Sequence, residues 1–169
     1  ILGCALALPL SKKVCKIKAY ISLQSIAAFI CIISYFVGSE QTVMAFTLFF
    51  FWSFFLQMAT PLLWAKMADT IDYGHWKTGV RITGMVYSAI VFFIKLGVAI
   101  GGALAGWLLA YYGYQADVKQ SIVTQQGILA AFTIFPAVGS ILVAWVMRWY
   151  ILDAKKVQFI HQTLKNTSN

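Results

Sequence analysis

The chain has 169 residues, of which 61% are hydrophobic and only 11% charged, with a mean hydropathy of +0.80 and a net charge of +8. A soluble globular domain carries about a quarter charged residues, so this composition excludes one and indicates an integral membrane protein. The positive excess is not a nucleic-acid footprint, because the basic residues sit between apolar runs and not along one soluble face. Membrane lipid is the expected surrounding, and no nucleic-acid partner is expected.

In chain order, residues 1–10 are an apolar run about half the roughly 20 residues that cross a bilayer. No basic segment precedes it. It is expected to be the end of a truncated transmembrane helix, which makes the chain the C-terminal part of a larger protein. Residues 11–18 form a basic loop with Lys12, Lys13, Lys16 and Lys18. Residues 19–37 are a full apolar span, ended by the polar turn Gly38-Ser39-Glu40-Gln41. The span 42–65 is rich in Phe and carries Gln57, Thr60 and Pro61 in its second half, where the missing proline N–H predicts a kink. A polar loop 66–81 follows, with Gly74 as the expected helix stop. The span 82–112 contains Lys95. A polar connection at 113–124 leads to the span 125–147, with Pro136 and Gly139 near its middle, and then to a polar tail, 148–169.

Lys and Arg number four in 12–18, three in 66–81 and four in the tail, against Lys119 alone on the opposite side. The positive-inside rule then places the basic loops and the C-terminus in the cytoplasm. The three cysteines, Cys4, Cys15 and Cys31, form no C-x-x-C pair and have no histidine spaced for a metal. No metal site and no disulfide is expected. The two histidines, His75 and His161, belong to no hydrolase, zinc-protease or phosphate-binding motif. An enzyme is not expected.

Lys95 lies in the middle of its span. About 14 residues on either side, roughly 20 Å of helix, separate it from each interface, too far for a lysine stem to snorkel. A lysine at such depth faces a cavity or pairs with a carboxylate. No acid in this chain lies at matching depth, so its partner is expected on other helices. Gly84, Ser88, Val91, Lys95, Ala99, Gly102 and Gly106 recur at three or four residues and share one face. That face suits close helix packing or a cavity wall, and Gly97/Gly101 and Gly102/Gly106 are small-xxx-small pairs. Gln57 and Thr60 beside Pro61 either line a polar path or bond locally to the kinked backbone. Trp52, Trp64 and Trp145 are core or lipid-facing aromatics, any of which is able to stack on a sugar.

Asp69 and Asp72, three residues apart, share a face if the helix continues to Tyr73. Two carboxylates at a helix C-terminus oppose its dipole, and Arg81 opens the next span on the same membrane side. The charges are either incidental in a solvated loop or a salt-bridge cluster of Asp69, Asp72 and Arg81. In its sharper form such a cluster is a gate latch that forms in one state and breaks in another.

The strings ADTIDYGHWKTGVR and YSAIVFFIKLGVAIGGALAGWLLAYYGY, with the basic loop LSKKVCKIKAY, resemble the glycoside–pentoside–hexuronide:cation symporters, the melibiose-permease-like branch of the major facilitator superfamily. The resemblance implies an all-α membrane protein. It makes the chain a partial C-terminal six-helix bundle, from the end of helix 8 through helix 12 of twelve, in the bacterial inner membrane. It implies symport of a glycoside, pentoside or hexuronide with Na+ or H+ by alternating access. The cation site is expected mainly in the missing N-terminal half, which is the chief partner, and no other cofactor is expected. The family's helix-11 lysine falls on Lys95 and its acid–acid–arginine cluster on Asp69, Asp72 and Arg81. Where the family's type member has a helix-10 tryptophan this chain has Thr60, and where that member has a Gln-Thr pair this chain has Ile90-Val91, which points away from melibiose as substrate. The expected pathway residues are Lys95, Thr60, Gln57 and Ser88. Two other functions stay open: a related transporter of a non-sugar substrate such as a lysolipid, and a non-transporting membrane interaction protein.

Overall fold

The computed structural model describes residues 16–38 and 41–167. The expected helix stub at 1–10 and most of the basic loop after it lie outside the described residues. Every regular element among the described residues is helical. Four helices are long and apolar enough to cross a membrane: α1 (Lys16–Tyr35), α2 (Thr42–Thr78), α3 (Thr83–Tyr111) and α4 (Ile122–Val146). A 3-10 turn, Met147–Trp149, ends α4, and a separate helix, α5 (Ala154–Thr167), forms the tail. The spans alternate in direction. One end of the bundle gathers the start of α1, the end of α2, the start of α3 and the tail, and is called the basic end below.

Helix α1 is the centre of the packing, with α2 on one side and α4 on another. Inside lipid, apolar burial gives helices little reason to associate, and close backbone approach through small residues does much of that work. Buried Ala19, Ala27 and Ala28 supply such a surface on α1. Buried Thr133, Ala137, Ser140 and Ala144, spaced four, three and four residues apart, supply one on α4. Ala19, Tyr20 and Leu23 of α1 close a core with Met58, Ala59 and Leu62 of α2. Helix α3 is different: none of its residues is buried, and it packs mainly on α4.

The corner between α3 and α4 is fixed by polar chemistry. Ser121 caps α4 by accepting from the Thr124 N–H at 3.1 Å. Thr124 Oγ1 in turn donates to the Tyr112 carbonyl at 2.7 Å, serving a group that the end of α3 leaves free. Gly127, one turn into α4, lies directly under the Tyr112 ring, where no side chain fits.

One boundary and the character of the tail correct the sequence reading. Helix α2 does not stop at Gly74, and the expected loop 66–81 is helical through Thr78. The stop is Gly79, which takes φ 72° and donates its N–H to the His75 carbonyl at 2.9 Å, a left-handed cap that glycine adopts without strain. The reason is packing by the tail. Residues 148–169 are not merely polar: Val157, Ile160 and Leu164 share one face of α5, and with Leu152 and Tyr150 they enclose Tyr73 of α2. Trp76 of α2 meets Phe159 edge-on. These contacts offset the roughly 1 kcal/mol cost of a mid-helix glycine. At 37 residues, α2 is about 55 Å long, against a hydrocarbon core of about 30 Å, so its last turns project beyond the membrane.

Replacing Gly127 with Ala is expected to unseat Tyr112 and loosen the α3–α4 corner, at a cost of about 1–3 kcal/mol read as a lowered Tm in detergent. The same change at exposed Gly139, where the space is open, is expected to leave Tm unchanged or slightly raised.

Candidate functional site

Two polar regions stand out. The first is at the basic end, where α2 leaves the membrane. Lys66 and Asp69 are one turn apart, and both are buried, at 4% and 5% exposure. Lys66 Nζ stands 3.2 Å from Asp69 Oδ2. That oxygen has no partner in hydrogen-bond geometry, so charge and not a directed bond holds the pair. The same ammonium donates to the Leu152 carbonyl at 3.3 Å and lies 5.1 Å from the centre of the Tyr150 ring, a cation–π distance. Lys16, at the start of α1, approaches Asp69 Oδ2 at 3.9 Å.

Two hydroxyls complete the knot. Tyr150 Oη and Thr70 Oγ1 lie 3.0 Å apart, and both reach the Lys66 carbonyl, at 3.0 and 2.9 Å. Burial, reinforced by the charge of Asp69 and opposed by the Thr70 hydrogen bond, raises the Tyr150 phenol above its ordinary value. It therefore stays protonated and able to donate. One turn further along α2, Asp72 Oδ2 meets His161 Nε2 of α5 at 3.1 Å. The end of α2 is thus tied to α1 through Lys16, and to the tail through Leu152, Tyr150 and His161.

Asp69, Asp72 and Arg81 are not brought together. Arg81 lies beyond the Gly79 cap, and its Nε donates to Thr83 Oγ1 at 3.3 Å. Asp69 is engaged by lysines and Asp72 by histidine. Lys66, Tyr150 and His161 carry the cluster without having been singled out from the sequence. Their signals were the K-x-x-D spacing of Lys66 and Asp69, and the helical period of Val157, Ile160 and Leu164.

The second region lies between α2 and α3. Gln57, Thr60 and Trp64 are exposed on one face of α2. Trp64 stacks on Tyr87 of α3, with ring centres 6.3 Å apart and planes within 17°. The two helices run in opposite directions, so this stack sets their register. Away from the basic end, Gln57 lies about 10 Å from Trp64, and Lys95 about 12 Å from Tyr87. The stack thus brings Gln57 and Lys95 to nearly the same depth. Lys95 is exposed, and among the described residues no acid pairs with it. Ser88 Oγ donates to its own helix, at the Gly84 and Met85 carbonyls. Thr60 Oγ1 does likewise at the Leu56 carbonyl, 3.3 Å away. Gly102 and Gly106, on the face of Lys95, and Gly97 and Gly101, on the far side of the helix, all look onto open space, so no helix among the described residues fills either pair.

The basic-end knot gives a stability prediction. Removing one member of a buried ion pair strands the other, at a cost of about 3–5 kcal/mol. Asp69→Asn is therefore expected to lower Tm sharply, whereas the double change Lys66→Met/Asp69→Leu recovers most of the loss. Equal Tm values for the single and double variants would show that the pair is not coupled.

The family model described as MFS/sugar transport protein matches residues 1–154. The chain is 37% identical to the inner membrane symporter YicJ of Escherichia coli over 97% of its own length and 36% of the relative's. It is 36% identical to a putative sulfoquinovose importer of the same organism, over 82% of the chain and 30% of the relative. It is 32% identical to the putative glycoside/cation symporter YagG, also of Escherichia coli, over 75% of the chain and 28% of the relative. The chain thus spans about a third of the length of these relatives. No solved structure matches at comparable stringency. With its all-α architecture and four membrane-length helices, the chain belongs to the MFS/sugar transport family, within the glycoside–pentoside–hexuronide:cation symporters.

Proposed function

We propose that this chain forms part of a cation-coupled transporter of the bacterial inner membrane. It moves a glycoside, pentoside or hexuronide together with Na+ or H+ by alternating access, with the basic end in the cytoplasm. The observation that carries this reading is the Trp64–Tyr87 stack. It sets a hydrogen-bonding side chain, Gln57, and a mid-membrane cation, Lys95, at one depth on neighbouring helices. Sugar recognition needs such polar groups, and a lysine in hydrocarbon is retained only where it faces a cavity or a counter-charge. Names given to relatives point the same way, since one is a putative glycoside/cation symporter and another a putative sulfoquinovose importer.

In this mechanism Lys95 answers to the coupling cation. With the cation site empty, the ammonium neutralises carboxylates on facing helices. Cation entry releases it towards the substrate. Thr60 and Ser88 border the path, their hydroxyls held by backbone carbonyls. The charges at the basic end form the gate. Asp72 and Arg81 pair in one transport state and separate in another, where Asp72 rests on His161 as it does here.

Lys95→Ala in the full-length transporter is expected to abolish uphill uptake at normal membrane expression, with counterflow of glycosides, pentosides and glucuronides against Na+ and H+ as the assay. Unchanged accumulation would overturn the role of Lys95. For the gate, Asp72→Lys is expected to impair transport and Arg81→Asp to restore part of it, and a double variant no better than Asp72→Lys alone would remove the direct pair.

A further inference from the structure

Helices α1 and α4 meet along small residues, and beside that seam lies a groove of about 400 Å³. Its walls include Phe29 and Ile32 of α1 and Ile141 and Trp145 of α4, with Ser25 low on one side and Arg148 at the mouth. The Ser25 hydroxyl is turned back onto the Ile21 carbonyl at 2.8 Å, which leaves the walls apolar in character. From Arg148 to Ile141 along α4, and from Ile21 to Ile32 along α1, the run is about 10 to 16 Å. That is the length of a substantial part of an acyl chain.

The mouth has the opposite chemistry. Arg148 lies in the 3-10 turn that follows the last membrane-spanning turn of α4, and this turn packs against α1. Arg148 is exposed, and among the described residues it makes no hydrogen bond and no ion pair. Lys18 is exposed on α1, one turn towards the basic end from Ile21 and on the same face, and it too has no partner among the described residues. Trp149, exposed and tilted at 58° against Trp145 with ring centres 4.5 Å apart, marks interfacial depth, where tryptophan gathers in membrane proteins. A slot with apolar walls, opening at headgroup level beneath two unpaired cations, matches one kind of occupant.

We infer that the groove between α1 and α4 binds an anionic phospholipid of the leaflet at the basic end, with its phosphate on Arg148 and Lys18 and one acyl chain along Phe29, Ile32 and Ile141. A guanidinium grips phosphate oxygens through paired N–H donors, and each basic residue near an anionic surface adds about 1 kcal/mol. A zwitterionic headgroup offers those cations little net charge, and free phosphate has no use for the apolar walls. The site is separate from the region between α2 and α3, and it requires that α1 and α4 lie in the membrane with the groove between them open to lipid.

The test reconstitutes the full-length protein in vesicles of phosphatidylcholine with an equal amount of phosphatidylglycerol, extracts it in mild detergent and weighs it intact by native mass spectrometry. Phosphatidylglycerol is expected to be retained about tenfold over phosphatidylcholine. Arg148→Gln is expected to remove that preference. Ser25→Trp, which fills the groove from an exposed position and leaves both cations in place, is expected to remove retention of either lipid. Excess inorganic phosphate is expected to displace nothing. Equal retention of the two lipids, a preference that survives both variants, displacement by phosphate alone, or a groove closed to lipid by another segment of protein would each overturn the site.

Discussion

Lys66 is a cation withdrawn almost wholly from water, and the arrangement of the basic end follows from satisfying it. A buried ammonium needs a counter-charge and acceptors, or the cost of desolvation drives the structure apart. Asp69 supplies the charge from the same helix, the Leu152 carbonyl supplies an acceptor from the start of the tail, and the Tyr150 ring covers the remaining side. Each of these partners constrains a different segment. Asp69 draws Lys16 and hence the start of α1 inward. The Leu152 carbonyl fixes the chain between α4 and α5, which lets Val157 and Ile160 close over Tyr73. The apolar core of the tail and the ion pair therefore support each other. The core excludes water from the pair, and the pair anchors the segment between α4 and α5 that presents the core.

That anchoring explains what the sequence showed and what it concealed. The four membrane-length helices were legible, because hydrocarbon thickness imposes a length and a composition on every crossing segment. The far end of α2 was not. Gly74 reads locally as a terminator, yet the helix runs on to Gly79 because α5 packs across it, and no local rule registers a contact from a segment some eighty residues away. Once the helix continues, Lys66 and Asp69 fall one turn apart and Arg81 is carried past the cap. With the terminus moved to Gly79 the carboxylates lie about two turns inside the helix, and what requires compensation is the burial of Asp69. It comes from Lys66 and Lys16, while Asp72 is hydrogen-bonded with His161 and Arg81 turns to Thr83.

The polar region between α2 and α3 was half legible. Lys95 stands out in any reading of its span, and Gln57 and Thr60 are polar groups in an apolar run. What the linear chain does not carry is their relative depth, which depends on the register of two antiparallel helices. One aromatic stack settles it, and Trp64 and Tyr87 carry no mark in the sequence that distinguishes them from other membrane aromatics.

Helix α2 joins the two regions. It is an unbroken helix from the face that bears Gln57 to the knot around Lys66, about 14 Å along its axis, and Pro61 lies between them with no N–H to give. A proline weakens a helix at one point without dividing it, so α2 is held at its basic end and able to bend between Gln57 and Trp64. Helix α3 has the complementary character. With no buried residue, and with Gly102 and Gly106 open on the face of a lysine paired with no acid among the described residues, it is a surface made to be met from the other side. In lipid a bare ammonium at that depth is too costly to leave exposed, so this face of α3 requires water or a carboxylate against it. A transport path supplies both in turn, which is why the lone lysine and the open glycines on its face argue for the same function.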